Sequence, residues 1–369
     1  MDKKHIIICG GGTGGHLMPA LAIKEILDDN NYNTLLVTDI RCERFLKSHE
    51  KQDACILNII QPKGFINLIK YFKNTFYCIL KIRKIIKNSG TILVIGCGGY
   101  SSVPVILASI LCRVEYIIHE QNSHLGRANY YLSYFSSKLF LSFIHTVNLP
   151  LISNEKIIWT GVPLTKRHSK INNYNTEDDK NLSKLENNIK TILITGGSQG
   201  ASIFDDFIIE AIENIKSIKP DLTLQVIQQT KSDKKIEYLR SRYDKLQIKA
   251  EISNFFHNLD IYYKQADLFI GRAGASTISE IINYEIPSIL IPYPYAKDDH
   301  QQQNAMNLSK FGAGKLILQN ELNIDVISSE MIKILLDNEV NINMQKKLRA
   351  LKINTPEIIM AEVKKVIDK

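Results

Sequence analysis

The octapeptide Cys9-Gly-Gly-Gly-Thr-Gly-Gly-His16 follows the apolar run His5-Ile-Ile-Ile and precedes the apolar-periodic segment Leu17 to Leu27. Glycine lets the backbone turn sharply and approach a ligand closely, and the helix that follows presents free N–H groups and a positive dipole end. An anion is the natural guest. His16 adds an imidazole that titrates near neutral pH, as a proton-transfer group must. Gly10, Gly12 and Gly15 also satisfy G-x-G-x-x-G, and Asp39 ends the next apolar run, so the same residues fit a dinucleotide site. They also fit a tight strand-to-helix turn that binds nothing.

Other polar clusters sit where apolar runs end. Gly96-Cys-Gly-Gly-Tyr-Ser-Ser102 follows TILVI, and His119-Glu-Gln-Asn122 follows EYII. Gly196-Gly-Ser-Gln-Gly-Ala201 follows TILIT, Gly271-Arg-Ala-Gly-Ala-Ser-Thr-Ile-Ser-Glu280 follows DLFI, and a polar stretch from Pro292 to Asn304 follows SILI. Open α/β sheets bind ligands at such strand ends. The 271–280 segment places small and hydroxyl residues at a helix start, suited to a diphosphate without a side-chain cation. Glu280, one turn in, either accepts hydroxyls from a ligand or serves the helix as a first-turn acid.

The elements that must position these residues alternate between strand-like and helical periodicity. HIII, NTLLVT, TILVIG, EYIIHE and KLFLS in the first half, then TILIT, LTLQVI, DLFIG, SILIP and KLIL in the second, predict parallel sheets with helices on both faces. The second half restarts the design of the first, and 369 residues exceed the usual size of one core. Two doubly wound α/β domains are expected: 1–163, 164–350, and a C-terminal helix within 351–369 that packs back on the first. Gly161-Val-Pro163 marks the crossover, and polar residues 172–188 read as an exposed loop or insertion.

Composition, 44% hydrophobic and 23% charged, is that of an ordinary globular chain. The six cysteines include no C-x-x-C pair, which argues for reduced thiols in a cytosolic protein and against a zinc site or disulfide framework. The N-terminal apolar run leads into a glycine loop and not a cleavage site, so no signal peptide is expected. No apolar stretch has the length of a membrane span. Between Ala54 and Val114 there is no acidic residue, yet there are eight basic ones: Lys63, Lys70, Lys73, Lys81, Arg83, Lys84, Lys87 and Arg113. Within that window Phe65, Leu68, Phe72, Phe76 and Ile79 recur at helical spacing beside a lysine stripe. Such a basic helix, 65–87, fits either an anionic membrane surface or a core-facing stripe with a solvated lysine face. Nucleic acid is disfavoured because no reader motif accompanies the charge.

GGGTGGH, GGYSSVP, HEQN, GGSQGA, RAGASTISEI and PYPYAKDDHQQQNA, in this order from residue 10 to 305, resemble the MurG family of peptidoglycan N-acetylglucosaminyltransferases. The resemblance implies the GT-B fold, two Rossmann-like domains facing a deep cleft. It implies inverting transfer of N-acetylglucosamine from UDP-N-acetylglucosamine to the 4-hydroxyl of the N-acetylmuramyl sugar of lipid I, forming lipid II at the cytoplasmic face of a bacterial inner membrane. Cell-wall synthesis proteins are the partners it suggests. The nucleotide-sugar site would comprise Thr13, Gly14, Gly15, Asn122, Ser198, Phe256, Ala275, Ser276, Thr277, Ile278, Ser279, Glu280 and Gln301. Gly98, Gly99, Tyr100 and Ser101 would line the acceptor side. His16 is the expected base, with Glu120 in reserve; a substrate-binding or helix-capping role for His16 and a structural role for Glu120 are the alternatives. No cofactor or metal is expected, since no D-x-D pair ends a strand.

The sequence departs from the family at Val162 and Thr165, where Asn and Arg are usual, and Lys166 or Arg167 stands as a substitute cation. Three other functions fit parts of the chain: a GT-B transferase for another glycolipid, an NAD-dependent dehydrogenase using Gly10, Gly12, Gly15 and Asp39, and a non-catalytic membrane adaptor.

Overall fold

A computed structural model describes residues 4–59, 64–165, 189–197, 202–256 and 258–368, with the backbone alone for 64–70. The chain divides into two compact units, residues 1–166 with 353–369, and residues 167–352.

The first unit holds seven parallel strands: β1 (His5–Cys9), β2 (Asn33–Asp39), β3 (Ala54–Leu57), β4 (Thr91–Gly96), β5 (Glu115–Glu120), β6 (Lys138–Leu141) and β7 (Ile157–Trp159). Their order is β3-β2-β1-β4-β5-β6-β7, so the chain reverses direction across the sheet between β1 and β4. Its helices are α1 (Gly14–Asp29), α2 (Ser48–Gln52), α3 (Gly64–Ser89), α4 (Ser102–Cys112) and α5 (Arg127–Ser133). The central strand explains why the apolar runs are unbroken. Ile6, Ile8 and Leu93 face one layer with α1, while Ile7, Val94 and Ile118 face the other with α3 and α4. A strand covered on both faces has no polar side to show.

The second unit repeats the plan with β8 (Lys190–Thr195), β9 (Leu224–Gln229), β10 (Lys249–Ser253), β11 (Leu268–Gly271), β12 (Ser288–Leu290) and β13 (Lys315–Leu316), all parallel, in the order β10-β9-β8-β11-β12-β13. Helices α6 (Ile203–Ile218), α7 (Asp233–Lys245), α8 (Leu259–Gln265), α9 (Ala275–Tyr284), α10 (His300–Lys310), α11 (Ile324–Leu336) and α12 (Asn338–Ala350) follow. On β11, Leu268 and Ile270 join a core with α6 and α11, while Phe269 between them stacks on Tyr263 of α8. The two-residue alternation of a strand requires helices on both sides.

The last helix, α13 (Thr355–Ile367), belongs to the first unit. Its Ile359, Met360, Val363 and Val366 recur on one face and enter the α1 core beside Leu17 and Ala20. Pro356 occupies the first turn, where its missing N–H costs nothing, and the Asn354 side chain caps the Glu357 N–H. Glu362, nearly buried, pairs with Lys365 at 2.6 Å and with Lys138 of β6 at 3.2 Å. Residues 172–188 lie outside the described residues.

Three strands escaped the sequence reading: ACIL (β3), IIW (β7) and KAEIS (β10). All three lie at sheet edges. An edge strand packs on fewer neighbours, so selection for an unbroken apolar run is relaxed.

Candidate active site

In the first unit, the loop after β1 and the loop after β4 interlock. Gly12, Gly98 and Gly99 have φ of 88°, 83° and 80°, a region that favours glycine. A Cβ on Gly99 would run into the Gly11 carbonyl, and one on Gly98 would lie 3.0 Å from His16 Cδ2. The glycines therefore serve backbone approach between two loops, and the His16 ring rests against Gly98. Ser102, at the start of α4, donates to the Gly98 and Cys9 carbonyls at 2.7 and 3.2 Å and ties the second loop to the first strand.

His16 sits in the first turn of α1, half-buried, with Nδ1 3.1 Å from the Thr13 hydroxyl. Thr13 is the N-cap residue, yet its side chain does not cap the helix, because it is engaged by the imidazole. Gly14 and Gly15 open the helix, and a Cβ on Gly14 would meet nothing within 4 Å. Tyr100 is 41% exposed, and Ser101 is fully buried.

Glu120, the reserve candidate, is enclosed by its own turn. It is 3% exposed, and its oxygens accept from the Asn122 N–H at 3.1 Å, the Gly126 N–H at 3.0 Å, Asn129 Nδ2 at 2.7 Å and the Asn122 side chain. Burial raises its pKa, and these hydrogen bonds oppose the rise. A carboxylate so enclosed organises the 120–129 turn. Asn122 is carried on that turn. Asn129, which no motif flagged, links Glu120 to the His16 side, its Nδ2 lying 3.3 Å from where a Gly98 Cβ would stand.

Beneath the turn His119 is fully buried. Gln121 Nε2 lies 3.1 Å from its Nδ1 and donates to the Cys97 carbonyl, while His119 Nε2 faces Ser142 Oγ and the Gly161 carbonyl at 3.4 and 3.5 Å. Burial pushes the imidazole down to about 4, partly opposed by Gly161. The folded state thus holds it neutral where the unfolded chain, near 6.5, takes a proton. Stability is complete above about pH 6.5 and declines as pH falls toward 4. Replacing His119 by Gln is expected to flatten that decline, read as the thermal unfolding midpoint between pH 7 and 4.5.

Asp39, a ribose-binding acid on the dehydrogenase reading, is committed elsewhere. It is fully buried, and both oxygens accept from Arg41, Nε to Oδ1 and Nη2 to Oδ2, each at 2.9 Å. Asp39 also caps the 3-10 turn Ile40–Phe45 through the Arg41 N–H.

In the second unit, Gly274 is the N-cap of α9 with extended backbone. The Ile278 N–H bonds the Gly274 carbonyl at 2.9 Å, and the Ile278 side chain is fully buried. Its side chain packs in the core beneath the loop. The N–H groups of Ala275, Ser276 and Thr277 precede the first helical hydrogen bond, and helix N-termini of this kind present such groups along the axis. Glu280 accepts from the Tyr263 hydroxyl at 2.6 Å. Tyr263 is itself buried and stacked between Tyr284 and Phe269. The carboxylate is held by a buried phenol.

Arg272, quoted in the motif without a role, is 7% exposed. It donates to the Ile291 and Pro292 carbonyls and to Gln319, and lies 5.0 and 5.4 Å from the centres of the Phe204 and Tyr293 rings. It clamps the loop after β12 to β11. Gln301, in the first turn of α10, accepts from the Tyr293 N–H through Oε1 at 3.0 Å. Asp298 and Asp299, immediately before that helix, both adopt left-handed backbone, φ 54° and 49°. Aspartate tolerates this region better than most residues, and strain of this kind gathers at binding loops. Phe256 is buried against the Tyr262 ring at 4.7 Å, and Ser279 lies half-buried on α9. Ser198, Lys166 and Arg167 lie outside the described residues. Among the described residues no group of three or more His, Cys, Asp or Glu could hold a metal.

Two parallel doubly wound sheets, each with glycine loops at its strand ends, define the GT-B class of glycosyltransferase-like folds. Residues 6–141 match the model of the glycosyltransferase family 28 N-terminal domain, and residues 191–358 that of its C-terminal domain. A Rickettsia felis protein named UDP-N-acetylglucosamine-N-acetylmuramyl-(pentapeptide) pyrophosphoryl-undecaprenol N-acetylglucosamine transferase is 35% identical over 350 residues, covering 93% of this chain and 96% of that one. A Rickettsia massiliae protein of the same name is 35% identical over 347 residues, covering 90% and 91%. The crystal structure of Acinetobacter baumannii MurG superposes with a TM-score of 0.76 at 24% identity, covering 98% of this chain and 99% of that one. The chain belongs to glycosyltransferase family 28, within the MurG group. A UDP-N-acetylglucosamine 2-epimerase shares the fold with a TM-score of 0.63 at 12% identity, so the fold alone does not choose the reaction.

Proposed function

We propose that this enzyme transfers N-acetylglucosamine from UDP-N-acetylglucosamine to the N-acetylmuramyl-pentapeptide carried on pyrophosphoryl-undecaprenol. The observation that carries this is the 35% identity with transferases so named, maintained over nine-tenths of both chains. The second unit takes the donor. The N–H groups of Ala275, Ser276 and Thr277 receive its diphosphate, Glu280 accepts hydrogen bonds from the ribose hydroxyls, and the Gln301 amide NH2 donates to the sugar. Phe256 and Ser198 border the base, Asn122 hydrogen-bonds the sugar, and Thr13, Gly14 and Gly15 cradle the acceptor's diphosphate or the donor's sugar end. The first unit takes the acceptor, along Gly98, Gly99, Tyr100 and Ser101.

His16 takes the proton from the acceptor 4-hydroxyl as that oxygen attacks the anomeric carbon. With Nδ1 engaged by Thr13, the exchange falls to Nε2, the nitrogen beside Gly98. The UDP leaving group departs toward the α9 terminus, where developing negative charge is stabilised. A single displacement inverts the anomeric configuration. NMR of the product tests this: a β-1,4 linkage is expected, and an α linkage or another hydroxyl overturns the mechanism.

The acceptor is a lipid, and α3 supplies a surface for it. The helix buries Cys78, Ile82 and Ile86, while Phe72, Phe76, Tyr77 and Leu80 face outward, 42–63% exposed, beside exposed Lys73, Lys81, Arg83, Lys84 and Lys87. Phe72 and Phe76 are thus not core residues. Phe65, Leu68 and Lys70 lie outside the described side chains, and Lys63 outside the described residues. Aromatic and basic groups mixed on one outward face suit an anionic membrane surface. No described helix is long and apolar enough to cross a membrane. Changing Lys70, Lys73, Lys81 and Lys84 together to Gln is expected to weaken binding to anionic vesicles by up to about a thousand-fold, at roughly 1 kcal/mol per lysine near the surface. Co-sedimentation measures it, and unchanged binding would contradict the docking role.

A further inference from the structure

We propose that Arg272 is a positioning residue for the donor sugar: by holding the start of the 292–304 segment it sets where Gln301 stands. The inference rests on the reading given above, in which Gln301 meets that sugar. Arg272 directly follows β11 and is 7% exposed, and among the described residues its charge meets no carboxylate. Burying a guanidinium without a counter-ion is costly, and an apolar side chain would fill the same space without that cost. What the guanidinium adds is a planar set of donors. Nη1 donates to two successive carbonyls just after β12, Ile291 at 3.0 Å and Pro292 at 2.9 Å, and Nη2 donates to Gln319 Oε1 at 2.8 Å. The centre of the Tyr293 ring lies 5.4 Å from the guanidinium carbon and extends the same grip by one residue.

Tyr293 carries the effect onward. Its ring meets Arg272, and its N–H donates to Gln301 Oε1 at 3.0 Å. A backbone N–H only donates, so this bond fixes which end of the carboxamide is oxygen and leaves Gln301 to address the sugar as a donor. The far end of the segment is tied to the same place. Fully buried Asn304 donates through Nδ2 to the carbonyl of Ala273, the residue after Arg272, at 3.1 Å. Between the two ties Asp298 and Asp299 hold left-handed backbone, which persists only where the surroundings enforce it. Removing the guanidinium releases the first tie and, with it, the N–H that orients Gln301. The α9 terminus is held separately, by the Ile278 N–H on the Gly274 carbonyl and by the buried Ile278 side chain.

A double-mutant cycle read by calorimetry, with UDP-N-acetylglucosamine and with UDP as ligands and no acceptor present, tests this. Gln301→Ala and Arg272→Met are each expected to raise the Kd for UDP-N-acetylglucosamine about ten-fold, the effect of losing one or two hydrogen bonds. Added to Gln301→Ala, Arg272→Met is expected to raise it less than about two-fold further, because the group it positions is already gone. The Kd for UDP, which lacks the sugar, is expected to stay within about two-fold of wild type in every variant. Arg272→Lys, which keeps the charge but loses the planar set of donors, is expected to fall between wild type and Arg272→Met. Additive losses in the double variant, or an equal loss of UDP affinity, overturn the proposal, since Arg272 would then act on its own or through the diphosphate site. If Arg272→Met does not fold, the same cycle with Arg272→Lys decides, and an unchanged Kd overturns the proposal. A raised Kd in Gln301→Ala beside an unchanged one in Arg272→Met sinks the proposal alone. If Gln301→Ala changes nothing, or the wild type does not bind the sugar nucleotide, the sugar-contact reading fails and the Arg272 proposal fails with it.

Discussion

Replacing His16 by alanine is expected to lower kcat by about two to four orders of magnitude, the range for losing a general base. Donor affinity and the thermal midpoint should be almost unaffected. The ring is half-buried and meets the hydroxyl of an exposed Thr13, so it is not part of the apolar core. Donor binding is expected to survive because the diphosphate and ribose contacts lie in the second unit. Thr13→Ala should give a smaller loss, since it frees Nδ1 without removing Nε2. A His16→Ala enzyme that turns over at the wild-type rate would move the proton transfer to another group. Glu120 is a poor successor, enclosed by Asn122, Gly126 and Asn129.

The second large effect is expected at Glu280. Glu280→Gln keeps the shape and removes the charge, and the KM for UDP-N-acetylglucosamine should rise at least about ten-fold. The loss should be much smaller for a donor whose ribose lacks its 2′ and 3′ hydroxyls, because the missing partner is then on the ligand. Tyr263→Phe removes the 2.6 Å hydrogen bond that fixes the carboxylate and is expected to raise the same KM a few-fold. Equal losses with both donors would assign Glu280 a structural role at the start of α9. Competition binding with UDP and its deoxy analogues measures this without any acceptor.

Much of the fold was legible because central parallel strands have nothing polar to show. Ile6, Ile7 and Ile8 are all fully buried, and such runs announce themselves in one dimension. The edge strands β3, β7 and β10 do not, because half of their surroundings are absent. The glycine loops were legible too, since φ values near 80° at Gly12, Gly98 and Gly99 leave few residue choices. What escaped depends on partners distant in sequence. Asp39 matched a ribose-binding acid by position, yet Arg41 two residues later turns back and occupies both oxygens. Tyr263 reaches Glu280 from a preceding helix, and Asn129 reaches Glu120 from the next. Ile278 lay inside a binding motif, but helical periodicity sends its side chain to the core. For α3, the spacing of Phe72 and Phe76 was read correctly as a stripe, but spacing cannot say which stripe faces the sheet. Cys78, Ile82 and Ile86 took that face.

Wild-type enzyme given UDP-N-acetylglucosamine labelled in the sugar, with a short-chain pyrophosphoryl lipid bearing N-acetylmuramyl-pentapeptide, tests the central claim most directly. The account predicts that the label moves to the lipid as a disaccharide and that UDP is released in equal amount. Label that stays on UDP, whether unchanged or epimerised at C2 as the shared fold would also permit, would contradict it.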